Sequence, residues 1–171
     1  SGVARTPITD WEGYKQHLRE LLGQETKLTR KLHDTARLHP QRVVFAEGGN
    51  PTMLKAAVQA KAEGICQPIL LGNPDRLNRL AQRLKLDLSD IEIVDMRADQ
   101  EQGRRATYAK HLAKKRARQG YNFEEAYDKM YERNYFGMMM VETGEADAFI
   151  TGLYTKYSNT IKVAKEVIGI R

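Results

Sequence analysis

The sequence predicts an α/β fold built on a doubly wound parallel sheet, of which this chain carries only a part. Three observations predict it. Short β-branched runs alternate with helical stretches from Arg42 to Met96. The connections between them are short, which suits parallel strands joined by crossover helices. A last strand and helix, "ADAFITG" and "SNTIKVAKEVIG", bring the chain to Arg171, where another strand would be due.

Residues 1–10, "SGVARTPITD", lack apolar periodicity and read as an interdomain linker, with Asp10 placed to cap the next helix. A helical segment follows over residues 11–40. "WEGYKQHLRELLG" repeats Trp11, Tyr14, Leu18, Leu21 and Leu22 at helical spacing up to Gly23, and "ETKLTRKLHDTARLH" runs until Pro40 stops it. Residues 41–171 form the first part of the α/β domain.

That domain opens with the strand "RVVFAE", bounded by Pro40 and by Gly48 and Gly49. The helix "PTMLKAAVQAKAEG" has Pro51 in its first turn and Gly64 past its end. The strand "QPILLGN", the helix "PDRLNRLAQRLKL" and the strand "IEIVDM" continue the alternation. It then pauses for a long helical stretch through "NFEEAYDKMYERN". "RNYFGMMMVETGEADAFITG" reads as a buried helix feeding a buried strand, with Met138, Met139 and Met140 as core or subunit interface. Ser158 or Asn159 is placed to cap the final helix, and Gly169 to close it.

At 171 residues with 41% hydrophobic and 29% charged composition, the chain is that of a soluble globular protein. No apolar run approaches the roughly 20 residues of a membrane span, and there is no signal-peptide core. The single cysteine, Cys66, excludes an internal disulfide and a Cys-rich zinc site, and fits a reducing cytoplasm. His17, His33, His39 and His111 lack metal-ligand spacing and read as surface residues, so no metal site is expected.

The net charge of +6 is concentrated in "GRRATYAKHLAKKRARQG", which carries Arg104, Arg105, Lys110, Lys114, Lys115, Arg116 and Arg118 without an acid. A solvated helix face accounts for most of these. Charge alone does not separate a polyanionic small molecule from RNA, but only Tyr108 in the run could stack on a base, so no nucleic acid is expected.

Ligands of open parallel sheets sit beyond the carboxyl ends of the strands, and two loops there have suitable chemistry. "EGGNPT", Glu47 to Thr52, offers close backbone approach and a helix N-terminus, yet it is neither a dinucleotide fingerprint nor a P-loop, and taken alone a tight strand-to-helix turn explains it better than a phosphate cradle. "TGLYTKYSNT" brings hydroxyls at Thr151, Tyr154, Thr155, Tyr157, Ser158 and Thr160 beside Lys156 and Lys162, a set able to hold phosphate. Capping and solvation would use many of the same residues. Asp95, Glu145 and Asp147 form no evident acid/base pair, no nucleophile has a visible base, and no catalytic residue is assigned.

"RVVFAEG", "LKAAVQAKAEGICQPILLGN", "RARQGYNFEEA", "RNYFGMMMVETGEADAFITG" and "IKVAKEVIG", in that order, resemble the phosphate acetyltransferase (phosphotransacetylase) family. The leading "SGVARTPITDWEGY" is similar to the connector of bacterial multidomain NADP-dependent malic enzymes, which carry a C-terminal phosphotransacetylase-like domain. The resemblance implies an isocitrate/isopropylmalate dehydrogenase-like fold with a cleft for coenzyme A and acetyl phosphate. The family's catalytic serine, arginine and aspartate positions belong to a later half than this chain contains.

Residue by residue, Arg116 in "KRARQG" matches the arginine of a family segment on the phosphate or coenzyme A side. Thr151, Gly152, Tyr154, Thr155, Lys156 and Lys162 complete the candidate ligand set. Lys162 stands where transacetylases usually have arginine, Val163 replaces a proline, Thr52 falls where an arginine is common, and Gly49 and Asn50 replace acids. These departures favour a sensor over a catalyst. The resemblance therefore implies a regulatory, oligomer-building domain that binds acetyl-CoA, in a homo-oligomeric polypeptide whose catalytic part uses NADP and a divalent metal to decarboxylate malate oxidatively. An active phosphate acetyltransferase and a purely structural assembly module are the alternatives.

Overall fold

The computed structural model describes residues 10–15 and 27–169. The chain divides into two compact units, Ser1–His39 and Pro40–Arg171. In the first, residues 11–15 are helical, and the Asp10 carboxylate accepts a hydrogen bond from the Gly13 amide at 2.9 Å, the cap its position predicts. Helix α1 spans Lys27–Leu38, with Leu28 and Leu32 exposed. The proposed linker at residues 1–9, and residues 16–26 of the predicted helices, lie outside the described residues.

The second unit runs β1 (Gln41–Phe45), α2 (Pro51–Ala62), β2 (Cys66–Leu71), α3 (Pro74–Leu84), β3 (Glu92–Val94), α4 (Gln102–Arg116), α5 (Phe123–Lys129), α6 (Arg133–Glu142), β4 (Ala148–Ile150) and α7 (Tyr157–Val167). The strands form one parallel sheet in the order β3-β2-β1-β4, with Val44 paired to both Ile69 and Phe149.

Alternation along the central strands builds three layers. Val43, Phe45 and Leu70 pack with Met53, Leu54 and Ala57 of α2 and with Leu77 and Leu80 of α3. Val44, Ile69 and Leu71 pack with Tyr108, Phe136, Met139, Met140 and Val163 from α4, α6 and α7. Both faces of β1 and β2 are thus covered, which is why these strands read as continuous apolar runs. Each fully buried Leu, Met or Phe contributes about 1.5–3 kcal/mol. The three methionines are core residues, between 0% and 4% exposed.

Gly137 sets how closely α6 lies on the sheet. A Cβ there would come within 2.4 Å of the Phe149 ring and 3.1 Å of a Leu71 methyl. Arg42 and Asp147 fasten the starts of β1 and β4: the Arg42 amide donates to Oδ2 at 2.8 Å and its guanidinium to Oδ1 at 2.9 Å. The Arg42 side-chain bond holds the Asp147 carboxyl below the usual carboxylate range.

One sequence expectation needs correction. Helix α7 starts at Tyr157 with Lys156 as its N-cap and no side-chain cap, so Ser158 and Asn159 lie inside the helix. The amides of Asn159 and Thr160 both turn back to the Lys156 carbonyl, which places helix entry before the polar residues suited to capping. The basic run is in the main the solvated face its charge pattern predicts: Lys110, Lys114, Lys115 and Arg118 are exposed, while Arg104, Arg105 and Arg116 turn inward. Arg105 is buried, Arg104 pairs with Glu101 and Glu145, Lys115 pairs with Glu142, and Arg116 reaches carbonyls of α7. The helix packs against α5 and α6 and therefore finds acceptors for these groups within the protein.

Candidate functional site

From β1 the chain winds outward to β2 and β3, while β4 joins the opposite edge of β1. The crevice between the loops that follow β1 and β4 is thus the topological switch point of the sheet. Glu47, directly after β1, is 1% exposed. Its carboxylate accepts hydrogen bonds from the backbone amides of Gly152 at 3.2 Å, Leu153 at 2.9 Å and Tyr154 at 2.9 Å. Three charge-assisted bonds satisfy an anion that would otherwise be costly to bury. Gly152, at φ +131°, adopts a conformation that side-chain-bearing residues rarely take, and this lets the amides turn toward Glu47.

Further bonds join the same loops. The Asn50 amide donates to the Tyr154 hydroxyl at 3.0 Å, and its carbonyl caps α2 by accepting from Thr52 N at 2.8 Å. Thr151 Oγ1 donates to Asn134 Oδ1 of α6 at 3.2 Å.

Beyond the strand ends lies a cleft of about 990 Å³. Glu47, Gly49, Tyr154, Thr155 and Lys162 line the side served by β1, β4 and α7. Asn73, Arg76, Asp95 and Arg97 line the side served by β2 and β3, and Lys129 and Tyr131 to Tyr135 lie along the start of α6. The lining contains the cations Arg76, Arg97, Lys129, Arg133 and Lys162 against the acids Glu47, Asp95 and Glu132. It contains no Ser, Cys or His among the described residues. Such a cleft can hold an anion by charge and hydrogen bonds, but it offers no thiol or imidazole for nucleophilic catalysis.

The candidate residues are distributed unevenly over this geometry. Tyr154, Thr155 and Lys162 line the cleft. Thr151 and Gly152 sit behind them and hold the loop in place. Lys156 supplies the N-cap of α7 and is not part of the lining. Arg116 is not brought to the cleft: its Nε donates to the Glu166 carbonyl at 2.6 Å and its terminal nitrogen to that of Lys165. With Lys115 Nζ donating to the Ile168 carbonyl at 3.0 Å, it caps the negative end of α7.

A half-buried cluster around Glu166 and the buried Arg105 brace the lining. Tyr121 and Tyr135 both donate their hydroxyls to Glu166 Oε2. Lys129 Nζ donates to the Tyr135 hydroxyl at 3.2 Å and lies 4.6 Å from its ring centre. Burial alone would raise the Glu166 pKa, but the two hydroxyls and the charges of Lys129 and Lys162 bring it below its ordinary value. Burial, followed by the bond to Glu166, pushes Tyr121 up to about 12 and raises Tyr135 as well. Arg105, 3% exposed, donates to the carbonyls of Met96 at 2.6 Å and Ala98 at 2.8 Å, and sits 4.7 Å from the Tyr131 ring centre. It thereby fixes the loop after β3.

Glu47, Arg105 and Glu166 were not singled out by sequence reasoning as groups that build the site. An acid at the end of an apolar strand was the available signal for Glu47. Nothing local distinguishes Arg105 from its basic neighbours.

A parallel α/β sheet with a polar cleft at its switch point is the architecture in which α/β proteins bind ligands at their strand ends. The chain belongs to the phosphate acetyl/butaryl transferase family, which it matches over residues 27–171. It is 33% identical to an NADP-dependent malic enzyme of Salmonella typhimurium, across 100% of this chain and 23% of that enzyme. It is 32% identical to a phosphate acetyltransferase of the same organism, across 81% of this chain and 19% of the relative. A solved phosphotransacetylase structure from Staphylococcus aureus superimposes with a TM-score of 0.71 at 26% identity, covering 83% of this chain and 43% of that one. The chain thus spans less than a quarter of the malic enzyme's length and under half of the solved phosphotransacetylase chain. Among the described residues, no helix is long and apolar enough to cross a membrane.

Proposed function

We propose that this chain is the regulatory and oligomer-building phosphotransacetylase-like part of a cytoplasmic NADP-dependent malic enzyme, and that acetyl-CoA bound in its cleft inhibits malate decarboxylation elsewhere in the polypeptide. The observation that carries the reading is the cleft's composition: five cations and the hydroxyls of Tyr154 and Thr155. That combination suits retention of a polyanionic acyl carrier by charge and hydrogen bonds. Lys162, where transacetylases usually have arginine, keeps the charge without the bidentate fork that handles a phosphoryl group. Arg116 enters the proposal as a residue that positions α7.

Inhibition requires that acetyl-CoA bind two states of the polypeptide with different affinity. Malate oxidation by the full-length polypeptide, supplied with NADP and a divalent metal, tests this. The reading expects turnover to fall as acetyl-CoA is added, and unchanged turnover at saturation would sink it. Family membership favours a second reading, an active acetyltransferase; acetyl-CoA formation from acetyl phosphate and coenzyme A by the same preparation would put that reading in its place. The oligomer-building role predicts that deleting this segment lowers the assembly's mass in light scattering.

A further inference from the structure

We propose that Arg76, Arg97 and Arg133 form a second anion subsite across the cleft from Lys162, so that its ligand carries two separated phosphate groups. This rests on the acetyl-CoA reading for the identity of the ligand, though the subsite can be tested without it.

Three different elements deliver these arginines to one concavity. Arg76 lies in the first turn of α3 behind β2, Arg97 follows β3, and Arg133 is the first residue of α6. Where arginines in this unit have a structural task, they are paired: Arg42 with Asp147, Arg104 with Glu101 and Glu145, Arg105 and Arg116 with backbone carbonyls. Among the described residues, the guanidinium groups of Arg76, Arg97 and Arg133 have no such partner. On a convex surface an unpaired arginine is simply solvated. Several converging in one cleft instead raise the local potential and concentrate anions.

The nearby acids cancel only part of that charge. Asp95 is held by Asn73 Nδ2 at 3.2 Å and by the Arg97 amide at 3.1 Å, and with Glu132 it sets two carboxylates against three guanidinium groups, which leaves that side of the lining positive. Glu132 is the N-cap residue of α6 but makes no side-chain capping bond, so the first amides of α6 stay open beside Arg133. A planar guanidinium meets phosphate through two parallel hydrogen bonds, and helix N-termini add to the attraction. Lys162 and Thr155 stand on the other side, beside the start of α7. A molecule bearing a diphosphate and a separate monophosphate, as an acyl nucleotide carrier does, matches two cationic ends in one cleft.

The test is calorimetric titration of acetyl-CoA, and separately of inorganic pyrophosphate, into the full-length polypeptide and its Arg97→Gln/Arg133→Gln variant. Both arginines are exposed, and the unchanged circular dichroism expected of the variant reports intact folding. The expected result is binding of both probes by the parent, and acetyl-CoA affinity about 100-fold weaker in the variant, roughly tenfold per arginine. Acetyl-CoA affinity within twofold of the parent's would overturn the subsite while leaving the acetyl-CoA reading intact. Pyrophosphate binding that the variant loses, without acetyl-CoA binding by either protein, would keep the subsite and remove the reading. Binding of neither probe by the parent would overturn both.

Discussion

The two sides of the cleft use their polar groups in opposite ways. Around the loops after β1 and β4, charge and hydrogen bonds are spent internally: Glu47 accepts three amides, Asn50 holds Tyr154, and Thr151 holds Asn134. Around the loops after β2 and β3, Asn73 holds Asp95 and Arg105 fixes the carbonyls of Met96 and Ala98 from behind, while among the described residues the guanidinium groups of Arg76, Arg97 and Arg133 in front are unpaired. One side is a latch between strands; the other is a fixed support presenting cations. A charged residue facing the same cleft can thus belong to the scaffold or to the ligand, and its partners decide which.

The largest effect should come from breaking the latch. Glu47→Gln replaces one acceptor oxygen with a donor facing amide donors, and should cost about 2–4 kcal/mol in chemical denaturation of the full-length polypeptide, with faster hydrogen exchange at Gly152 to Tyr154. Next, Gly137→Val pushes α6 off Phe149 and Leu71 and should cost about 1–3 kcal/mol by the same measurement. Arg116→Ala should cost about 1 kcal/mol by leaving the α7 carbonyls uncapped. It should also weaken acetyl-CoA binding less than Lys162→Gln does, since only Lys162 lines the cleft.

The tyrosine cluster gives a pH prediction of definite sign. Tyr121 and Tyr135 have folded-state pKa values above the ordinary value near 10, so their contribution is full below about pH 10 and lost as pH rises through the folded values. Glu166 is shifted down, so its contribution is present above about pH 4.3 and lost as pH falls through its folded pKa. Tyr121→Phe should flatten the alkaline limb of a stability-versus-pH curve and lower the neutral plateau, where the hydroxyl's bond to Glu166 is fully present. The smallest stability effect belongs to the opposite side of the cleft: Arg97→Gln/Arg133→Gln should change stability by under about 0.5 kcal/mol, because those side chains hold nothing together.

Much of this architecture was legible in the chain. The runs at Val43 to Phe45 and Ile69 to Leu71 identified the central strands because both sheet faces are covered, and Pro51 and Gly64 bracketed α2. The Met138 to Met140 stretch identified a buried helix. The site was legible only on one side. The loop "TGLYTKYSNT" advertised itself by clustered hydroxyls, whereas Arg76, Arg97 and Arg133 come from three distant segments and meet only through the order of the strands. Arg116 was assigned by resemblance of a local segment, but which carbonyls its guanidinium reaches depends on the packing of α4 against α7, about 50 residues later. Single-residue chemistry was readable; partnership across the fold was not.

The central claim is that the cleft at the strand ends holds acetyl-CoA, and hydrogen exchange of the full-length polypeptide with and without the ligand tests it most directly. The account predicts slowed exchange at the starts of α6 and α7, the amides of Arg133 to Tyr135 and of Tyr157 and Ser158, with α1 unchanged. Unaltered exchange at both helix starts under saturating acetyl-CoA would contradict it.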